Sequence, residues 1–147
     1  MSTDLPDLGL LFDLAMADAR SGALIRSALR EVDLSASEYA VTSVLAESDG
    51  LTPSAVAAAI GVPRSTLTTL IAGLERRGLM ARSGAADRRS AHLSLTKVGR
   101  AVHETAVAAV LARWSPVRDR LELAETRRLV RRFVTEVDRD LAAEPPD

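Results

Sequence analysis

Between residues 64 and 77 the sequence separates into two helical faces. Leu67, Leu70, Ile71 and Leu74 recur at the helical period and form an apolar back. Ser65, Thr68, Thr69, Ala72 and Arg76 follow i, i+3, i+4, i+7, i+11 and form a small, polar front. Side chains of that size come close to base edges or phosphates, and a Thr methyl can meet the thymine methyl. Arg64 is the one long donor at the start of this helix, suited to a guanine edge or a phosphate. The free amides and dipole of a helix N-terminus favour a phosphate at the same end. Further along, Asp87, Arg88 and Arg89 close a turn of small and polar residues that begins at Ser83. Guanidinium groups on such a tip fit a neighbouring minor groove or its rim, and Asp87 is placed to pin one of them or the turn backbone. A solvated helix face explains the first set alone and a solvated turn the second. Neither explains why both occur together.

The charge distribution points the same way. The chain has 147 residues and a formal net charge of −1, but the balance is uneven. Residues 1–50 hold three basic and nine acidic residues, 51–100 hold eight and two, and 101–147 hold eight and nine. A basic central third on a nearly neutral chain is the footprint of a local polyanion-binding surface.

The elements that must position these residues are mostly helical. Apolar spacing predicts an N-terminal helix from about Leu8 to Val32. Ser35-Ala36-Ser37-Glu38 is a capping box that starts a second helix with Val41, Val44 and Leu45 inward. Thr52-Pro53 starts a short third one, with Val56, Ala59 and Ile60 as its apolar side and Gly61-Val62-Pro63 as its break. The two-faced helix follows to Arg77, with Gly78 as C-cap. The period then changes to two: Leu79–Arg82 and Ala91–Leu95 read as a hairpin. Thr96 is an N-cap for a long helix with Val107, Val110, Leu111 and Trp114 in one stripe, kinked or broken at Ser115-Pro116. Val130, Phe133, Val134, Val137 and Leu141 mark a final helix. Two short helices around a tight turn, followed at once by a hairpin, are the layout of a winged helix-turn-helix. The expected fold is mainly α with a small two- or three-stranded β-wing. Residues 35–95 form the DNA-binding region, and 1–34 with 96–147 form helices for dimerisation.

The run Asp87-Arg88-Arg89-Ser90-Ala91-His92-Leu93-Ser94-Leu95-Thr96 resembles the D-x-R-x-x-x-x-x-L-T signature of the MarR family of transcriptional regulators. Pro63–Thr68, Leu74–Leu79 and Leu95–Arg100 extend the likeness, and helix order and length carry it over essentially the whole chain. The resemblance implies a homodimer held by its first, fifth and sixth helices, a pseudo-palindromic operator, and release by a small aromatic or drug-like effector. It places Ser65, Thr66, Thr68 and Thr69 in the major groove and Arg88 and Arg89 in the wing groove. With Arg64, Arg76, Arg82 and Asp87 these make up the DNA-facing set. Relatives often carry Arg where Thr69 stands, and the oxidation-sensing branch is excluded because the chain has no Cys.

Dimerisation has separate support. Leu11, Phe12, Leu14, Trp114 and Phe133 are more apolar surface than a winged helix of about 60 residues can cover. Met16 and Tyr39 are the candidates for an effector pocket between the dimer helices and the reading head. His92 on the wing strand and His103 in the long helix read as surface or interface residues, since neither has a carboxylate at ligand spacing. No cofactor is expected. The absence of a Gly-rich phosphate loop, a nucleophile elbow or a Ser/His/Asp set argues against an enzyme. No apolar run approaches a membrane span and the start lacks a basic leader, so a soluble cytoplasmic protein is expected. The other reading is a winged-helix adaptor or small-molecule-binding dimer that does not touch DNA.

Overall fold

The structure, a computed structural model, describes residues 8–84 and 91–143. Local sequence rules set most of its element boundaries. Helix α1 spans Leu8–Ala28 and ends in a 3₁₀ turn, Leu29–Glu31. Helix α2, Ala36–Glu47, starts on the capping box, in which Ser35 Oγ accepts from Glu38 N at 3.2 Å and Ser35 N donates to Glu38 Oε2 at 2.8 Å. Helix α3, Pro53–Ile60, is capped by the Thr52 hydroxyl, with Pro53 in its first turn. Gly61 closes it at φ 67° and ψ 34°, a left-handed conformation that an L side chain adopts only with strain. Helix α4 follows as Arg64–Arg76.

Strands β1, Met80–Ser83, and β2, His92–Leu95, pair antiparallel with Met80 opposite Leu95 and Arg82 opposite Leu93. Leu51 adds a third, single-residue rung, because Leu93 N donates to Leu51 O at 2.8 Å and Gly50 N to Leu93 O at 3.1 Å. Helix α5 runs Lys97–Arg118 and α6 runs Leu123–Ala143. Pro116 does not break α5 as expected; it lies in the last turn, and the helix ends two residues later. A Pro so close to the C-terminus disturbs little of the helical ladder.

The chain forms two compact units, residues 1–113 and 114–147. The first holds the core: Leu29, Leu34, Val41, Leu45, Val56, Leu67, Ile71, Leu74, Leu93 and Ala106 are among its buried members. In α3 the buried residues are Val56 and Ala57, whereas Ala59, expected inward, is exposed. The second unit contains the end of α5 and all of α6, and no described residue of α6 is buried.

Candidate nucleic-acid interface

The apolar back of α4 anchors the reading face. Leu67, Ile71 and Leu74 are almost wholly inaccessible and Leu70 is half-buried. That burial fixes the helix about its own axis, so Arg64, Ser65, Thr66, Thr68, Thr69, Ala72 and Arg76 are all exposed. The chain turns through 111° between α3 and α4, within the range of a helix-turn-helix. Arg77 ties the end of α4 to the start of α2: Nη1 lies 2.8 Å from Glu38 Oε1, and Nη2 lies 3.0 Å from Asp33 Oδ2.

The polar groups on this face are arranged unevenly. Thr68 Oγ1 donates to Arg64 O at 2.8 Å, and Thr69 Oγ1 donates to Ser65 O at 3.3 Å. Both hydroxyl protons are thus turned toward the helix, which leaves lone pairs and methyl groups facing out. Such a surface accepts from base amines and meets the thymine methyl. Unlike α2 and α3, α4 starts without a side-chain cap among the described residues; Pro63 stands at its N-cap. Its first amides therefore keep their capacity for an external anion.

The arginines differ in their engagement. Arg64 Nη2 donates to Ser54 Oγ at the start of α3. Arg82 Nε lies 2.7 Å from Glu75 Oε1, so this wing arginine is charge-paired within the protomer. Arg76 is exposed and, among the described residues, makes no ion pair. Asp87, Arg88 and Arg89 lie outside the described residues. Ser54, next to Arg64, was not singled out from the sequence; its place at the second position of a Pro-started helix was the available signal.

The base of the hairpin is locked to α4 and α5. Thr96 Oγ1 donates to Gly78 O at 2.7 Å and accepts from Gly99 N at 3.0 Å, as expected of an N-cap. Gly99 is buried so closely that a Cβ there would lie 1.8 Å from Leu79 O. Only glycine permits that approach.

His103 corrects an expectation. It is a buried core residue rather than a surface or interface one, with Nδ1 3.1 Å from Thr42 Oγ1. Because the Thr42 hydroxyl donates to Tyr39 O at 3.0 Å, Nδ1 carries the proton and donates to Thr42. The Tyr39 ring stacks on the imidazole at 5.7 Å between centroids. Burial holds the His103 pKa below its ordinary 6.5, and the nearby Glu104 carboxylate opposes that shift. Of the two candidate pocket residues, Tyr39 packs against the core cluster, which half-buried Met16 does not join.

A helix-turn-helix with a β-hairpin wing defines the class: a winged helix-turn-helix protein. Residues 32–90 match the model of the MarR family, whose members are transcriptional regulators rather than enzymes, and the fold is similar to that of MarR winged-helix structures. Among solved structures it is similar to the transcriptional repressor CouR of Rhodococcus jostii RHA1 bound to a 23-mer DNA duplex. That likeness has 26% identity and a TM-score of 0.76 over 93% of this chain and 97% of that one. CouR bound to p-coumaroyl-CoA is similar at 23% identity and a TM-score of 0.75, over 93% and 95% of the two chains. The Mycobacterium tuberculosis regulator MosR in complex with DNA is similar at 27% identity and a TM-score of 0.74, over 87% and 95%. No curated protein sequence is a significant match. Among the described residues no single helix is long and apolar enough to cross a membrane.

Proposed function

We propose that this chain is a homodimeric, cytoplasmic regulator that binds pseudo-palindromic duplex DNA and represses transcription until a small organic effector releases it. The observation that carries this reading is the front of α4: Ser65, Thr66, Thr68 and Thr69 exposed together over a fully buried apolar back. Those four residues read the major groove. Arg64, held by Ser54, and the uncapped first turn of α4 grip a phosphate. Arg76 adds a backbone contact, and the wing, through Arg88 and Arg89 with Asp87 beside them, reaches the adjacent minor groove. Arg82 contributes only after leaving Glu75, so its share is the smallest.

Two reading heads must stand about 34 Å apart to enter successive major grooves. An effector that binds one spacing better than the other shifts the protein off its operator. That CouR is known with DNA and with p-coumaroyl-CoA supports such a mechanism here. Tyr39, on α2 against α5, and Met16 on α1 are the effector-facing candidates. Selection from random duplexes with the purified protein tests the reading. The expected result is enrichment of two inverted half-sites with centres about 10 base pairs apart. No enrichment, with binding that does not respond to salt, overturns it in favour of an adaptor without DNA.

A further inference from the structure

The basic third of the chain, residues 51–100, holds only two acidic residues, Glu75 and Asp87, and the first of them sits against a wing arginine. Glu75 Oε1 lies 2.7 Å from Arg82 Nε, with the two side chains 31% and 28% exposed. Both elements contribute to this placement. Arg82 leaves β1 on the same side as buried Met80, two residues earlier, and so leans toward α4. Glu75 stands seven residues after Thr68 on the same flank of α4, where the exposed front meets the buried back. A partly exposed ion pair adds little to stability. The root of the hairpin is already held by Met80 in the core and by Thr96 Oγ1 on Gly78 O. The fold therefore has little need of a carboxylate at position 75, which leaves its effect on Arg82 to be explained.

We propose that Glu75 stands in for a DNA phosphate: it occupies Arg82 in the free protein and so holds down the sequence-independent part of duplex binding. This role rests on the DNA reading of α4 and the wing given above. With α4 in a major groove and the wing in the adjacent minor groove, the strand between the two grooves passes the edge where α4 meets the root of the wing. The Glu75–Arg82 pair lies at that edge. A carboxylate and a phosphate offer a guanidinium the same kind of oxygen acceptor. On docking, Arg82 exchanges one for the other, and the carboxylate it leaves then faces phosphates of its own sign. The net gain from Arg82 is therefore small. Arg76, the next residue after Glu75, forms no ion pair among the described residues and carries no such cost. Removing the Glu75 carboxylate turns Arg82 into a free phosphate ligand without touching Ser65, Thr66, Thr68 or Thr69. Because phosphates carry no sequence information, every duplex gains alike.

Salt-titrated binding of the full chain to a random-sequence duplex and to the duplex chosen by selection tests this. Glu75→Gln should tighten binding to both by the same factor, about two- to fivefold, the equivalent of one exposed ion pair no longer broken. It should also steepen the slope of log affinity against log salt by about 0.9, one further phosphate neutralised. Glu75→Ala should do the same, which guards against a fault peculiar to either variant. Adding Arg82→Gln to Glu75→Gln should remove both the gain and the extra slope. A gain that survives Arg82→Gln is a general effect of net charge and overturns the assignment. Weaker or unchanged binding in both folded Glu75 variants, as judged by their melting curves, overturns it too and makes Glu75 a support for the wing. A gain confined to the selected duplex overturns it in favour of a base-reading role. Wild type without salt-dependent binding to either duplex overturns the DNA reading itself, and this role with it.

Discussion

Helices α4 and α6 are both amphipathic, yet their apolar faces meet opposite environments. In α4, Leu67 and Leu74 are 1% and 0% exposed; in α6, Val134 and Leu141 are 48% and 60% exposed. The first helix finds its apolar partners inside its own unit and shows solvent a polar front. The second shows solvent its apolar side. A face completed within the protomer positions a site, and a face left open calls for another chain. The difference locates the two kinds of function that we propose: recognition on α4 and assembly on α6.

The contrast can be broken with one truncation in each helix. Leu74→Ala should lower unfolding free energy by about 2–5 kcal/mol, since it removes a fully buried side chain. Leu141→Ala should change the protomer's stability by no more than about 0.5 kcal/mol while weakening self-association. Urea titration at low and high protein concentration separates the two effects. If the costs are equal at low concentration, the contrast is wrong. The seam that holds α5 against the end of α4 is the next weakest point. Gly99→Ala should cost about 1–3 kcal/mol, because its methyl overlaps the Leu79 carbonyl, whereas Gly9→Ala, with nothing within 4 Å, should cost nothing measurable.

A smaller effect concerns pH. The unfolded chain takes up a proton on His103 near the ordinary value of 6.5, and the folded chain does so only at lower pH. The stability this gives is complete above about pH 6.5 and is lost as pH falls through the interval below it. Wild type should therefore lose more stability than His103→Gln between pH 7 and pH 5. Parallel losses would mean that the imidazole is not held neutral by burial. The smallest change is on the reading side. Arg76→Ala should weaken binding to all duplexes alike and reduce the salt slope by about 1. An effect confined to one sequence would make Arg76 a base reader instead of a phosphate contact.

Much of the fold was legible because short-range rules govern it. The capping box at Ser35, the Thr52-Pro53 start, the turn at Gly61 and the switch to period two all lie within a few residues of what they control. The two faces of α4 were legible too, since large apolar and small polar residues alternate there without ambiguity. In α3 the run Ala57-Ala58-Ala59 offers no such contrast, so its inward residue was misplaced by two. The burial of His103 and the pairing of Arg82 with Glu75 depend on partners from other elements, and spacing along one element cannot supply them. The tight seat of Gly99 is a tertiary contact of the same kind.

The most direct test of the central claim is the affinity of the purified protein for its selected duplex and for a scrambled one as salt is raised. With a DNA-reading α4, log affinity should fall linearly with log salt, with a slope of about −0.9 per phosphate neutralised, and the selected duplex should stay the tighter ligand. A Ser65→Ala, Thr68→Ala, Thr69→Ala triple variant should keep most of that slope and lose the preference. A flat salt response in wild type, or an undiminished preference in the triple variant, would contradict the account.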